Sequence, residues 1–382
     1  MNSTRRIELP YGSAPLVARV PGDAVVVDLP VVHAPQTSLA SILDRALAHP
    51  IGAAPLTGAA AATVVVSDAT RSEPRAAMLD AVLRRIGDAT LTIAIANGTH
   101  APGDPRELGL AGDVLARARI VNHDGADDGA LVQVGTTRRG TPLVVHRCLV
   151  ESSLVVATGR IKPHYFAGYG AGAKALFPGL GQTRAVRVNH ALKQESGARG
   201  GDVDGNPCRE DLEEIVDALD AELHLLNVVT DGEGRVQSAV AGDVRAAFRA
   251  GAAACAPLFT VDAPMADCIV VSDALPLTGS LYQASKLVAA CAARLRPGGR
   301  IVIAAECPGG VGPVDVVNRG IYEIGLAPRL PADHRIALVS SLSQVDVEAT
   351  YCEWAPSVEA AIADVVGTVL VFPRAGDILL PS

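Results

Sequence analysis

The chain has 382 residues, 49% of them hydrophobic but only 3% aromatic; that is length for two domains, with cores built from Val, Leu, Ile and Ala. Its formal charge of -8, without a basic patch, argues against nucleic acid as the main partner, so an anion must be held by a local basic site. Seven scattered cysteines without a CxxC pair read as reduced structural thiols, and no stretch reaches 18 apolar residues, so the expectation is a soluble cytoplasmic protein with no membrane partner.

The opening "MNSTRRIELPYGS" is charged and followed by no apolar run, so it does not read as a signal peptide. Short β-branched runs then recur along the chain: "DAVVVDLP", "ATVVVSDAT", "TLTIAIANG", "SSLVVATG", "LLNVVTDG", "DCIVVSDA", "GRIVIAAECP", "HRIALVSS" and "GTVLVFP". Bounded by Gly, Asp, Asn or Pro, they predict buried strands. A helix is expected after Pro74, and another near Thr183. A third is capped by Asn206 with Pro207 in its first turn, its apolar residues Leu212, Ile215, Val216 and Leu219 at helical spacing. A fourth runs from about Leu281 to Arg296, opened by Gly279 or Ser280. Strand–helix alternation predicts two α/β domains with mainly parallel sheets, residues 1–262 and 263–382. The Gly- and Pro-rich stretch from Gly168 to Gly205 carries few strand signals, and long irregular segments inside compact domains are usually functional.

Functional loops of α/β sheets lie at the carboxyl ends of strands. "SDATRSEP", "ANGTH" and "SDALPLTGSLYQASK" each follow such a run directly. Arg71 in the first can hold a carboxylate or phosphate bidentately, the alternative being a surface pair with Asp68. Gln283 and Lys286 in the third share a helix face near an N-terminus, where an anion is favoured.

Lys174 stands in "GYGAGAKALFPG". The phosphate-loop pattern fails for want of Ser or Thr after the lysine, and GxGxxG fails because Ala173 occupies its last glycine. Small residues still admit a bulky group close to the backbone. An ammonium in an apolar surround is disfavoured, which leaves a nucleophilic amine; a plain surface lysine is the alternative. Of nine histidines, six stand singly and read as structural or exposed. His100, His164 and His190 follow strands or the glycine run, but no pair has zinc-site spacing. One imidazole on a metal whose other ligands come from a cofactor stays open, beside a structural reading of each histidine.

Taken in order, "SDATRSEP", "ANGTH", "GRIKPHYFAGYGAGAKALFPGL", Asn189–His190 and "YQASK" resemble the nickel-dependent lactate racemase family of 2-hydroxyacid racemases and epimerases. That resemblance implies two α/β domains with the active site in the cleft between them. It implies a nickel-pincer nucleotide, a pyridinium mononucleotide whose two sulfur-bearing arms hold nickel, tethered covalently to Lys174. His190 is then the nickel ligand, in a square-planar site natural for nickel. His100 and His164 are the catalytic acid and base. Asp68, Thr70 and Gly172 fall among the cofactor-binding positions, and Arg71, Tyr282, Gln283 and Lys286 among those for substrate. The implied partners are a small 2-hydroxy acid and the proteins that make the cofactor.

Three departures stand out. Ala171 sits where the family is expected to have glycine, Glu73 adds an acid near the anion site, and Arg160 and Lys162 flank Pro163–His164, within reach of a second anion. Trp354, the only tryptophan, suits either a pocket wall or the core. The competing readings are a sugar or sugar-acid epimerase with the same cofactor, a nicotinamide dehydrogenase, which the failed GxGxxG disfavours, and a non-catalytic cofactor carrier, which the presence of both His100 and His164 disfavours.

Overall fold

The computed structural model describes residues 3–381. The chain divides into two units, Val32–Leu258 and Met1–Val31 with Phe259–Ser382. Each is built on a six-stranded sheet, wholly parallel in one and parallel but for one edge in the other, so the expected α/β class is the one observed.

In the Val32–Leu258 unit, the β-branched runs form β1 (Ala61–Ser67), β2 (Thr90–Ala96), β4 (Leu154–Ile161) and β5 (Glu222–Thr230), joined by β3 (Arg119–Asn122) and β6 (Val236–Gly242). The order is β6-β5-β4-β1-β2-β3, with only β6 antiparallel to its neighbour. Helices α1 (Leu39–Ala48) and α2 (Arg75–Ile86) share one core with the sheet. That core includes Val64, Val66, Leu79, Val82, Ile93 and Val156, all at most 1% exposed. Burying each such side chain contributes roughly 1.5–3 kcal/mol.

Helix α3 (Thr183–Ala191) begins where expected. Helix α4 (Pro207–Glu213) is capped by Asn206, whose Oδ1 accepts from the amides of Cys208 and Arg209, both at 3.1 Å. It is shorter than its apolar period suggests. A 3₁₀ turn, Glu214–Val216, tightens the chain before it enters β5, yet Leu212, Ile215 and Leu219 still face the core. The last helix of the unit is α5 (Val244–Phe259).

The other unit has β7 (Ala266–Val271), β8 (Leu295–Ala304), β9 (Arg335–Val339), β10 (Glu353–Trp354) and β11 (Val369–Phe372). Its order is β10-β9-β8-β7-β11, completed by the two-residue strand Val25–Val26 beside β11. Helix α6 (Leu281–Cys291) follows β7 and is capped by Ser280, which accepts from the Gln283 amide. It is shorter than the expected run to Arg296, because a 3₁₀ turn over Ala292–Arg294 leads directly into β8.

The N-terminal 31 residues do not follow the expected division into 1–262 and 263–382. The hairpin of Thr4–Leu9 with Leu16–Pro21 buries Leu9, Ala18 and Val20 in the core of β7, β8 and β11. "DAVVVDLP" contributes only the edge strand Val25–Val26 there. Edge pairing is set by partners distant in sequence, which local pattern does not reveal.

Two histidines that stand alone in sequence meet inside the Val32–Leu258 unit. His123 and His146 are both buried, with ring centroids 6.1 Å apart. Burial, followed by the His123 charge, brings His146 down to about 4, and burial also lowers His123. A depressed histidine binds its proton in the unfolded chain first, so the stability it contributes is present above about 6.5 and is lost as pH falls toward 4. Urea unfolding should therefore show a decline between pH 7 and 4.5, of which His146 supplies at most about 3 kcal/mol. The variant His146→Gln should flatten that slope; an identical slope in both proteins would remove the pair as its cause.

Candidate active site

β1 and β4 pair in parallel, Ala62 opposite Leu154. Beyond β1 the sheet continues to β2, and beyond β4 to β5. The chain therefore leaves these neighbouring carboxyl ends in opposite directions and opens a crevice, where ligands of α/β sheets bind. Ser67–Arg71 leaves β1, Asn97–His100 leaves β2, and Lys162–His164 leaves β4.

Asp68 joins the first two loops. Its Oδ2 lies 3.1 Å from Nδ1 of His100, and its Oδ1 accepts from the Thr70 amide at 2.8 Å and from the Thr70 hydroxyl. Burial alone would raise this carboxyl, but the bonds from His100 and Thr70 and the charge of Arg71 outweigh it and bring it to about 2. An ionised carboxylate only accepts, so Nδ1 of His100 must donate. The neutral ring then presents the lone pair of Nε2 on a side chain that is half exposed. Arg71 Nε lies 4.0 Å from Asp68, with the arginine side chain 58% exposed. The sequence alternatives of anion ligand and surface pair are thus not exclusive: the pair is loose and the guanidinium accessible.

His164 has the opposite polarity. Its Nδ1 accepts from the Ala167 amide at 3.3 Å, so the neutral ring carries its proton on Nε2. Phe166, two residues on and 2% exposed, is the hub of the site. Its ring centroid lies 4.6 Å from that of His164 and 5.1 Å from that of His190, and 5.7 Å from Lys174 Nζ.

Lys174 lies in a turn, Gly172–Ala175, packed against β4 and β1. Its ammonium has no hydrogen-bond or ion-pair partner among the described residues. Burial, then the charges of Arg209 and Arg71, lower it to about 7. His190, on the last turn of α3, is lowered to about 3 by burial and by the Lys174 charge, so its imidazole stays neutral. Its Nδ1 is buried without a hydrogen-bond partner. An amine brought down to about 7 is available in its neutral form near neutral pH, and a neutral amine and a neutral imidazole are the forms that make a covalent bond and a metal bond.

Two buried arginines, invisible as such in the sequence, shape the loops. Arg75 donates to the carbonyls of Ser67, Asp68 and Arg71; Arg209 does the same for the loop before Lys174. Glu73 turns inward, accepting from Ser67 and lying 3.8 Å from Arg75 with its side chain 2% exposed. It therefore braces this loop. Arg160 donates to the Ser72 hydroxyl at 3.1 Å. The Gly172 amide donates to Asn227 of β5 at 3.0 Å. Gly172 has φ +66°, and a Cβ there would lie 2.6 Å from the Phe248 ring. Ala171 takes φ +64° and ψ -157°, a region essentially reserved for glycine that costs another residue about 1–3 kcal/mol.

Tyr282, Gln283 and Lys286 belong to the other unit, on α6. Lys286 donates to Gln283 Oε1 at 2.5 Å, so the expected shared face exists, and Tyr282 is exposed. Trp354 is half-buried in the edge strand β10. All but four of the 33 Lys and Arg residues are arginines; the lysines are Lys162, Lys174, Lys193 and Lys286.

A family model described as the lactate racemase N-terminal domain matches residues 11–201. The chain is 29% identical over 375 residues to a lactate racemase of Thermoanaerobacterium thermosaccharolyticum, covering 87% of this chain and 88% of that protein. It is 28% identical over 325 residues to a lactate racemase of Lactiplantibacillus plantarum, covering 80% and 76%. The solved lactate racemase apoprotein of Thermoanaerobacterium thermosaccharolyticum superposes with a TM-score of 0.89 at 25% identity, over 99% of this chain and 100% of that one. A Thermotoga maritima protein shares the fold, with a TM-score of 0.62 at 18% identity over 85% and 94%.

The turn before Lys174 makes opposite demands at adjacent positions. Gly172→Ala should destabilise by about 1–3 kcal/mol through the Phe248 clash, whereas Ala171→Gly should be neutral or stabilising by up to ~1 kcal/mol through relieved strain. Thermal unfolding of the two variants checks this; a loss in Ala171→Gly as large as in Gly172→Ala would contradict the account.

Proposed function

Because the chain belongs to the lactate racemase family, an isomerase family, we propose that it interconverts the enantiomers of a lactate-like 2-hydroxy acid, using a nickel-pincer nucleotide held by Lys174 and His190. The observation that carries this reading is the convergence of two groups on the Phe166 ring: His190, whose buried Nδ1 has no hydrogen-bond partner among the described residues, and the Lys174 amine, 5.7 Å from the ring centroid. These residues fit the group. The amine can form its covalent tether, the imidazole can ligate nickel, and Gly172, with Asp68 and Thr70, would border it. When bound, the group would accept a hydride from the substrate carbon and return it to either face.

The protein's own part is proton handling and orientation. His100, with Nε2 unprotonated and Asp68 behind it, takes the hydroxyl proton as the carbon becomes a ketone. Asp68 stabilises the resulting imidazolium, as a carboxylate partner does for a catalytic histidine. His164, with Nε2 protonated, supplies a proton to the oxygen on the other side. Both directions of a racemisation need a base for one enantiomer and an acid for the other, which two rings of opposite polarity provide. The substrate carboxylate is assigned to Arg71, whose planar fork suits bidentate binding, with Tyr282, Gln283 and Lys286 as further substrate residues. A soluble cytoplasmic setting and dependence on cofactor-making proteins form part of the same proposal; among the described residues no helix is long and apolar enough to cross a membrane.

Protein produced together with the cofactor-making enzymes should carry an adduct mass on the Lys174 peptide and should racemise D- and L-lactate in a chiral assay. His100→Ala should lower the rate by about 10²–10⁴-fold, and Asp68→Asn by about 10–100-fold. An unmodified Lys174 under conditions that load a known lactate racemase would reject the covalent reading. A loaded protein inert on lactate but active on a sugar acid would move the substrate class instead.

A further inference from the structure

Arg209 is fully buried, and burying a guanidinium is costly unless its donors are satisfied. Its donors go mainly to backbone. Nε donates to the Ala167 carbonyl at 3.3 Å, one terminal nitrogen to Ala171 at 3.4 Å, and the other to Tyr169. These carbonyls alternate along the chain, so one planar fork grips the whole edge of the segment. The Phe248 ring lies 4.1 Å from the guanidinium carbon, and Glu213, the nearest carboxylate, is 3.9 Å away. Asn206, three residues earlier, donates to the Phe166 carbonyl at 2.9 Å. The start of α4 thus holds the carbonyls of residues 166, 167, 169 and 171, the stretch that leads from the Phe166 hub to Lys174.

That stretch contains Gly168 and Gly170 and ends at Gly172. Glycines admit a large ligand but lose the most freedom on ordering, so a loop of this composition does not hold one shape unaided. A lysine at position 209 would satisfy fewer carbonyls, because its single ammonium lacks the rigid fork.

We propose that Arg209 is the positioning residue for Lys174: its guanidinium fixes the carbonyl edge of Ala167–Ala171 and thereby presents the lysine in the one geometry that permits attachment of the cofactor. The inference rests on the reading of Lys174 as the anchor. The positive charge of Arg209 acts in the same direction, since after burial it adds to what disfavours the ammonium form of Lys174.

Two measurements on Arg209→Lys test it. Hydrogen exchange of the full-length protein without cofactor should be about tenfold faster at the amides of residues 168–174, the factor for losing one charge-assisted bond, with β2 and β7 unchanged. The initial rate of adduct formation at Lys174 should fall by a similar factor, about tenfold. Wild-type exchange at the loop, or acceleration spread evenly over the chain, would overturn the assignment, as would normal attachment. Should Arg209→Lys fail to fold, Phe248→Leu removes only the supporting ring and should shift exchange of the same amides in the same direction; no shift there would also overturn it. Failure of wild-type protein to form the adduct would sink the anchor reading instead, while the exchange experiment would still report whether the clamp exists.

Discussion

The parallel pairing of β1 with β4 is the constraint on which the rest of the larger unit depends. It sets two carboxyl ends side by side and sends their chains apart. Everything chemical then follows at short range: Asp68 and Arg71 from one end, His164 and Phe166 from the other, and His100 from the adjacent β2. The parallel ladder is itself a consequence of β-branched runs buried on both faces, with helical crossovers between them. Sequence composition thus leads to the location of the chemistry without the named catalytic side chains lying in the strands of the six-stranded sheet.

Charge in the site is arranged by burial more than by pairing. Lys174 and His190 both lie against the Phe166 ring, and burial disfavours the charged form of each, with the Lys174 charge lowering His190 further. Asp68 is the counterexample, kept ionised despite burial because His100 and Thr70 donate to it. One region therefore holds an amine brought down to about 7, an uncharged imidazole and a charged carboxylate. Arg75 and Arg209 direct their donors mainly at backbone carbonyls. They stiffen the two loops without placing compensating acids next to the groups that must stay neutral.

Much of this was legible in the sequence, for identifiable reasons. The buried strands announced themselves through Val and Ile runs, and Asn206 and Ser280 capped helices as their side chains suggest. Asp68, Arg71 and His100 could be marked because they follow strands directly. The amine character of Lys174 followed from its apolar neighbours. What escaped was long-range. The N-terminal hairpin places exposed arginines among its apolar residues and gives no hint of which core it joins. Arg75 and Arg209 look like surface arginines of helices, because a sequence does not say which arginine is covered. Glu73 read as a neighbour of the anion site, although Ser67 and Arg75 draw it inward. Phe166 was in plain view beside His164, but only the fold makes one ring the meeting point of two histidines and a lysine.

The scarcity of lysine has a consequence of its own. Guanidinium groups stay protonated at any physiological pH and do not act as nucleophiles. A protein whose cationic surface is almost entirely arginine offers an acylating reagent very few amines. For the attachment proposed at Lys174, selectivity is then partly statistical: few other side-chain amines compete, and the remaining discrimination falls to one loop whose amine is brought down to about 7.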